Sequence, residues 1–345
     1  MLSELWKSGT EFLGSSFAIM GGAMSWVSDH NLVSAISNAG GFGVLACGSI
    51  DPSTLKKEII LTQQLTARPF GVNLIIMHPD LADLIDVCVE TGITHIVLAG
   101  GIPNSKMINH VKNAKIKIMC FAPSLSIAKR LVRAGVDALI IEGMEAGGHI
   151  GPVSTSVLAQ EILPYFRQDD SLKKVPIFIA GGIGRGEMIA HYLIMGASGC
   201  QIGTLFVCTY ESRIHNNFKE VFIKSSSRDA VSSVQLNKDF PVIPVRAIEN
   251  DASIKFLELQ QNIINLYNQG KISKQDGQLC IEKFWAGALK KAVIDGDIVN
   301  GSLMAGQSVG MVHNIETTAQ VINNLISQAC NYITSVQNIK PSAVN

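Results

Sequence analysis

The chain has 345 residues, of which 47% are hydrophobic and 16% charged, and its 28 basic and 28 acidic side chains cancel to a formal net charge of zero. That length and apolar content suit one large domain, or one domain with an appendage. The charge balance argues against a phosphate-tracking nucleic-acid binder, and an aromatic content of 6% offers no base-stacking platform.

Met1–Gly14 carries acidic residues and no apolar run of signal-peptide type, so a cytoplasmic protein is expected. Short apolar runs then recur, each closing on glycine or a small or polar residue: 17–22, 42–46, 70–75, 95–100, 117–123, 137–143, 176–182 and 199–204. Runs of this length read as strands of a parallel sheet covered on both faces. Between them lie helix-like segments at 31–39, 53–65, 79–91, 105–113, 126–134, 155–165 and 186–195. Gly40, Gly92, Gly135 and Gly196 each stand just past such a segment, where a helix stop is expected. Eight regular strand–helix repeats in about 200 residues predict an α/β fold, a TIM-type (β/α)8 barrel. A doubly wound open sheet is the alternative. No run reaches membrane-spanning length.

The rhythm breaks near Glu211. Residues 1–210 read as the barrel and 211–300 as a more polar insertion over its mouth, with amphipathic helices near 253–268 and 279–294. Residues 301–345 read as a glycine-rich covering loop and a closing helix at 316–332. The apolar residues of the insertion offer a homodimer contact. Seven cysteines are scattered without metal-ligand spacing and read as reduced core residues.

In a barrel of this type the chemistry sits at the C-terminal strand ends. The residues there are Gly21-Gly22, Asn73, Gly100-Gly101, Glu142 to His149, Gly181-Gly182-Ile183 and Gly203-Thr204. Glycine-rich loops after the seventh and eighth strands predict a phosphate-bearing ligand, because free backbone amides there face an anion. The segment Glu142-Gly143-Met144-Glu145-Ala146-Gly147-Gly148-His149-Ile150-Gly151 combines adjacent glycines, which let the backbone approach a bulky ligand, with one titratable imidazole. His149 is therefore the candidate acid–base residue. Glu145 and His149 stand four apart, but two glycines between them argue against a helix, and no metal site is expected. His30, His78, His95, His110, His191, His215 and His313 lack such a setting and read as surface or packing residues, and Arg246 reads as a surface salt-bridge partner or a contact for an anionic substrate.

These residues resemble the nitronate monooxygenase (2-nitropropane dioxygenase) family, which includes FMN-dependent enoyl-acyl-carrier-protein reductases. The matching segments are 20–27 (Met20 to Val27), 38–43, 70–73, 142–151, 180–183, 201–204 and 301–307, together covering nearly the whole chain up to about Val312. The resemblance implies an FMN-loaded barrel in which His149 is the acid–base residue. Gly21, Gly22, Ala23, Asn73, Glu142, Gly147, Gly148, Gly181, Gly182, Gln201, Ile202, Gly203 and Thr204 would line the flavin, and Met304, Ala305, Gly306 and Gln307 would close over its ring. Two reactions are open. In one, a nitronate and dioxygen are the substrates and His149 removes an α-proton or holds the anion. In the other, NADH or NADPH is the donor for reduction of an enoyl thioester. Glu142 and the Trp26-Val27 pair look like the reductases, whereas Val97-Leu98-Ala99-Gly100 and Cys47-Gly48-Ser49 depart from them. The nitronate reaction is the leading expectation, and a non-catalytic flavin-binding barrel stands third.

Overall fold

The computed structural model describes residues 1–48 and 50–338; Ser49 and the tail 339–345 of the expected third segment lie outside it. Its strands, in chain order, are β1 Ile19–Gly21, β2 Gly43–Ala46, β3 Phe70–Ile75, β4 His95–Ala99, β5 Lys117–Phe121, β6 Ala138–Glu142, β7 Gly148–His149, β8 Ile177–Ala180, β9 Gly199–Ile202, β10 Ala230–Ser232, β11 Val245–Ile248 and β12 Leu303–Met304.

Eight of these form one parallel sheet in the order β1-β9-β8-β6-β5-β4-β3-β2. The two ends of that row meet: the Gly21 amide donates to the Phe42 carbonyl and the Phe42 amide to the Ile19 carbonyl, both at 2.9 Å. The sheet thus closes on itself, and the fold is a (β/α)8 barrel with helices outside. Barrel strands such as β4, β5 and β6 are buried almost end to end, which is why they read as unbroken apolar runs and not as alternating ones.

The helix stops have a shared cause. Gly40, Gly92, Gly135 and Gly196 sit at φ of 90°, 72°, 102° and 112°, a left-handed conformation that only a residue without Cβ takes freely. Starts are marked by side-chain caps: Asp51 accepts from the amides of Ser53 and Thr54, with Pro52 as the first helical residue.

Two short helices, Leu2–Leu5 and Lys7–Leu13, precede β1 and were not legible as periodic segments. They close the N-terminal end of the barrel. There the His95 ring packs edge-on between Phe12 and Phe42, with centroids 5.2 and 5.0 Å away, and its Nε2 bonds the Phe12 carbonyl at 2.8 Å.

After β9 the barrel core continues into the helix Asn216–Lys224, whose Phe218 and Phe222 are buried in it. The helices Asp251–Asn268 and Lys274–Val293 enclose a second, smaller core of Phe240, Val242, Val245, Phe256, Ile263, Ile264, Ile281 and Trp285. A small antiparallel sheet joins the two regions. Its middle strand β11 pairs with β10 along one edge, and with β7 and then β12 along the other. The helix Thr318–Gln337 returns to the barrel wall and packs on the helix Gly186–Met195, where a Cβ on Gly186 would lie 1.9 Å from the Leu325 carbonyl oxygen. Among the described residues no helix is long and apolar enough to cross a membrane.

Candidate active site

Strand register decides which residues meet. Glu142 on β6, Ala180 on β8, Gln201 on β9 and Met20 on β1 stand side by side, and Ala46, Asn73 and Val97 are likewise aligned on β2, β3 and β4. Above these levels the C-terminal loops surround a cavity of about 590 Å³, within the range of a cofactor or drug-sized ligand site.

One side of the cavity is backbone. Gly181 and Gly182, just past β8, lie at φ of 92° and 72°, and Gly203 and Thr204 lead from β9 into the short helix Thr204–Val207. Among the described residues, the amides of Gly182, Ile183, Gly203 and Thr204 donate to no protein group, and all four residues line the cavity. Four free donors on one wall are a cradle that can hold a phosphate. A second set consists of side chains: the carboxyl of Glu142, the amide of Gln201 and the Oδ1 of Asn73 face the cavity and make no hydrogen bond within the described residues, while the Asn73 amide donates to the Val97 carbonyl at 3.3 Å. Polar atoms that open into a cavity without protein partners are available to a ligand or water. Burial also pushes the Glu142 carboxyl up to about 8, so at neutral pH it is largely protonated and can donate.

The His149 loop is held by strand pairing and by a buried cation. Pairing of β7 with β11 sets His149 against Val245 and Gly148 against Arg246. Arg246 is 4% exposed, donates from Nε to the Met144 carbonyl at 2.9 Å and from Nη1 to the Ala230 carbonyl. This corrects the surface salt-bridge expectation: a lone cation inside the apolar run 242–248 is a buried clamp on the His149 loop. Burial lowers its pKa, and the nearby Glu145 carboxylate works the other way. Glu145 itself accepts from the amide and hydroxyl of Thr155, both at 2.9 Å, and so fixes the loop to the start of the next helix. His149 sits at the cavity rim with a side chain 41% exposed, its Nε2 lying 3.0 Å from Glu282 Oε2 on the helix Lys274–Val293.

The covering loop crosses these elements closely. A Cβ on Gly147 would lie 2.6 Å from the Ala305 carbonyl carbon and the Gly306 nitrogen. The Gly306 amide donates to Thr204 Oγ1 at 3.0 Å, and the Gln307 amide to the Glu145 carbonyl at 2.9 Å.

The sequence profile of the family described as nitronate monooxygenase matches residues 7–328. The chain belongs to the nitronate monooxygenase family. It is 27% identical to a (3aS,4S,5R,7aS)-5-hydroxy-7a-methyl-1-oxo-octahydro-1H-indene-4-carboxyl-CoA dehydrogenase of Rhodococcus jostii, over 95% of this chain and 97% of that one. It is also 27% identical to a probable nitronate monooxygenase of Staphylococcus saprophyticus, over 93% and 96%. Among solved structures, FabK from Thermotoga maritima is similar at a TM-score of 0.83 and 32% identity, covering 96% of this chain and 98% of that one. The chain is therefore an oxidoreductase of this family.

Within this family member, the structure brings most of the expected site residues to one cavity. Gly22, Ala23, Asn73, Glu142, Gly147, Gly148, His149, Gly181, Gly182, Gln201, Ile202, Gly203, Thr204, Met304 and Gly306 all line it. Gly21, Ala305 and Gln307 do not. Gly21 serves helix packing, since a Cβ there would lie 2.6 Å from Ile36 Cδ1; Ala305 is buried under the Gly147 crossing, and Gln307 acts through its backbone. Sequence reasoning missed Glu282, Glu145 as a cap and Arg246 as a clamp. Only Arg246 left a local signal, a single charge between apolar neighbours. Among the described residues no group of His, Cys, Asp and Glu could hold a metal ion.

Proposed function

We propose that this chain is an FMN-dependent oxidoreductase that converts alkyl nitronates, with dioxygen, to carbonyl compounds and nitrite. The observation that carries the reading is one cavity with the unpartnered amides after β8 and β9 on its wall and the His149 imidazole at its rim. FMN, when bound, supplies the redox chemistry that no side chain of the site can perform. Gly182, Ile183, Gly203 and Thr204 would donate to its phosphate. Asn73, Glu142 and Gln201 offer their free polar atoms to the rest of the group, with Gly22, Ala23, Gly147, Gly148, Gly181, Ile202, Met304 and Gly306 as walls; Ala305 and Gln307 hold that wall from behind, as Gly21 holds β1. His149 takes the α-proton of a nitroalkane or holds the nitronate anion, a role worth on the order of 10²–10⁴ in rate. Family membership and the likeness to the S. saprophyticus protein support the nitronate as substrate.

One observation favours a second reading. Ile102, Ile127, Ile243 and Leu289 line the same cavity and form an apolar complement to an acyl chain. An enoyl thioester reduced at the expense of NADH or NADPH would suit them, and the R. jostii relative is by name a dehydrogenase of a CoA thioester.

The visible spectrum under anaerobic conditions separates the readings. A yellow protein bleached by ethyl nitronate but not by NADH, and releasing nitrite in air, is the expected result. Rapid bleaching by NADH, with no nitrite, overturns the nitronate assignment in favour of the thioester. Failure to take up FMN on reconstitution overturns both.

A further inference from the structure

We infer that the substrate of this site carries an uncharged hydrocarbon tail, and that a tail ending in a carboxylate or a phosphate is refused. The inference rests on the site proposed above and names the class of substrate it takes. The cavity has two unlike sides. In the closed strand order β9 and β4 stand diametrically opposite, so the amides after β8 and β9 face the ends of β4 and β5 across the barrel. On that far side Ile102 follows β4, Phe121 ends β5, and Ile127 stands in the first turn of the helix Leu125–Arg133. The region after the barrel completes the wall. Leu289 comes from the helix Lys274–Val293, and Ile243 is held next to the His149 strand because the Ile150 amide donates to the Pro244 carbonyl at 2.9 Å.

An apolar wall accepts a chain, but charge decides which chain. Among the described residues that line the cavity, Glu142 and His149 are the titratable ones, and none is a lysine, arginine or aspartate. Two cations close by are engaged elsewhere. Arg246 donates to the Met144 and Ala230 carbonyls, and the Lys290 ammonium lies over the Trp26 ring, 5.0 Å from its centre. The charge that stands nearest His149 at the rim is an acid, Glu282, at 3.0 Å. An anionic tail laid against this wall would give up its water and meet no cation, a loss greater than the gain from its methylenes. A neutral tail has only the gain, about fourfold in affinity for each methylene covered. The mouth leaves apolar surface for it to cover, since Ile102 is 37% and Ile243 54% exposed.

The test compares two ligands that share an amide head and a chain length: hexanamide, and adipamate, whose chain ends in a carboxylate. Binding to the FMN-loaded full chain is read by calorimetry, which needs no turnover. Hexanamide is expected to bind about 10- to 100-fold more tightly than adipamate, and affinity should rise about fourfold per methylene from butanamide to hexanamide. The variants Ile102→Lys and Ile243→Lys each place an ammonium on the far wall, at a position exposed enough to carry one. Either should bring adipamate to at least the affinity of hexanamide. Turnover should follow the same order, with hexyl nitronate preferred over a nitronate of equal length that ends in a carboxylate, and I102K should lose that preference. Equal affinities in the parent, tighter binding of adipamate, or an unchanged order in both FMN-loaded lysine variants overturns the inference. A parent that prefers hexanamide but releases no nitrite from hexyl nitronate upholds the neutral tail and overturns the nitronate reading alone.

Discussion

Two buried groups pull the pH dependence of stability in opposite directions. Glu142 has its carboxyl raised from 4.5 to about 8 by burial. Between these values the folded chain keeps a proton that the unfolded chain releases, so its contribution is complete below about pH 4.5 and is lost as the pH rises through 8, by at most about 1.4 kcal/mol per pH unit. Flavin-free E142Q should therefore gain on the parent in Tm as the pH rises from about 5 to 8, and a difference independent of pH would refute the prediction. His95 is the reverse case. Burial lowers it from 6.5 to about 4, so stability is lost as the pH falls through that window, and its ring resonances should stay those of the neutral form down to about pH 5. A His95 that titrates near its ordinary value would refute this second prediction. At this scale the sequence exposed His149, Asn73 and Glu142, because glycines or strand ends mark them locally. It concealed Glu282, which is an ordinary surface residue of an amphipathic helix until the fold brings it to His149, and it showed His95 only as a histidine without a functional setting.

At the level of elements, three loops that leave different parts of the chain are stitched at one crossing: 145–148, Gly203-Thr204 and 304–307. Gly147 sits at the tightest point, where a methyl group would displace backbone and not a flexible side-chain tip. A Gly147→Ala substitution is thus expected to cost about 1–3 kcal/mol by overpacking, felt as separation of the loops. The loss should appear as weaker FMN retention, about tenfold in Kd for each 1.4 kcal/mol, with the far-ultraviolet spectrum unchanged. Parental FMN affinity in G147A would show that the covering loop plays no part in holding the flavin. The barrel strands were legible because each lies within an apolar run, and several of their helices because glycine stands just past the end. The sheet of β7, β10, β11 and β12 was not, since strands of two to four residues carry no period and pair across long stretches of sequence.

For the molecule as a whole, eight repeats without a change of pattern predicted closure, and the Met20–Phe42 bridge supplies it. What repetition could not announce is a second core. Phe256 is 1% exposed and stacks 4.4 Å from the Trp285 centroid, in a cluster separate from the barrel's, with Met304 packed against both. Regions with separate cores open separately when few apolar contacts join them. Truncating Phe256 to alanine removes about 3–5 kcal/mol of packing from the smaller core. Hydrogen exchange of F256A should then show lost protection in the helices Asp251–Asn268 and Lys274–Val293, with the barrel strands as protected as in the parent. On the function proposed above, the amides after β8 and β9 that would hold the FMN phosphate belong to the barrel, so F256A should keep FMN. Equal loss of protection in β3 to β6 would mean that the two cores unfold as one unit.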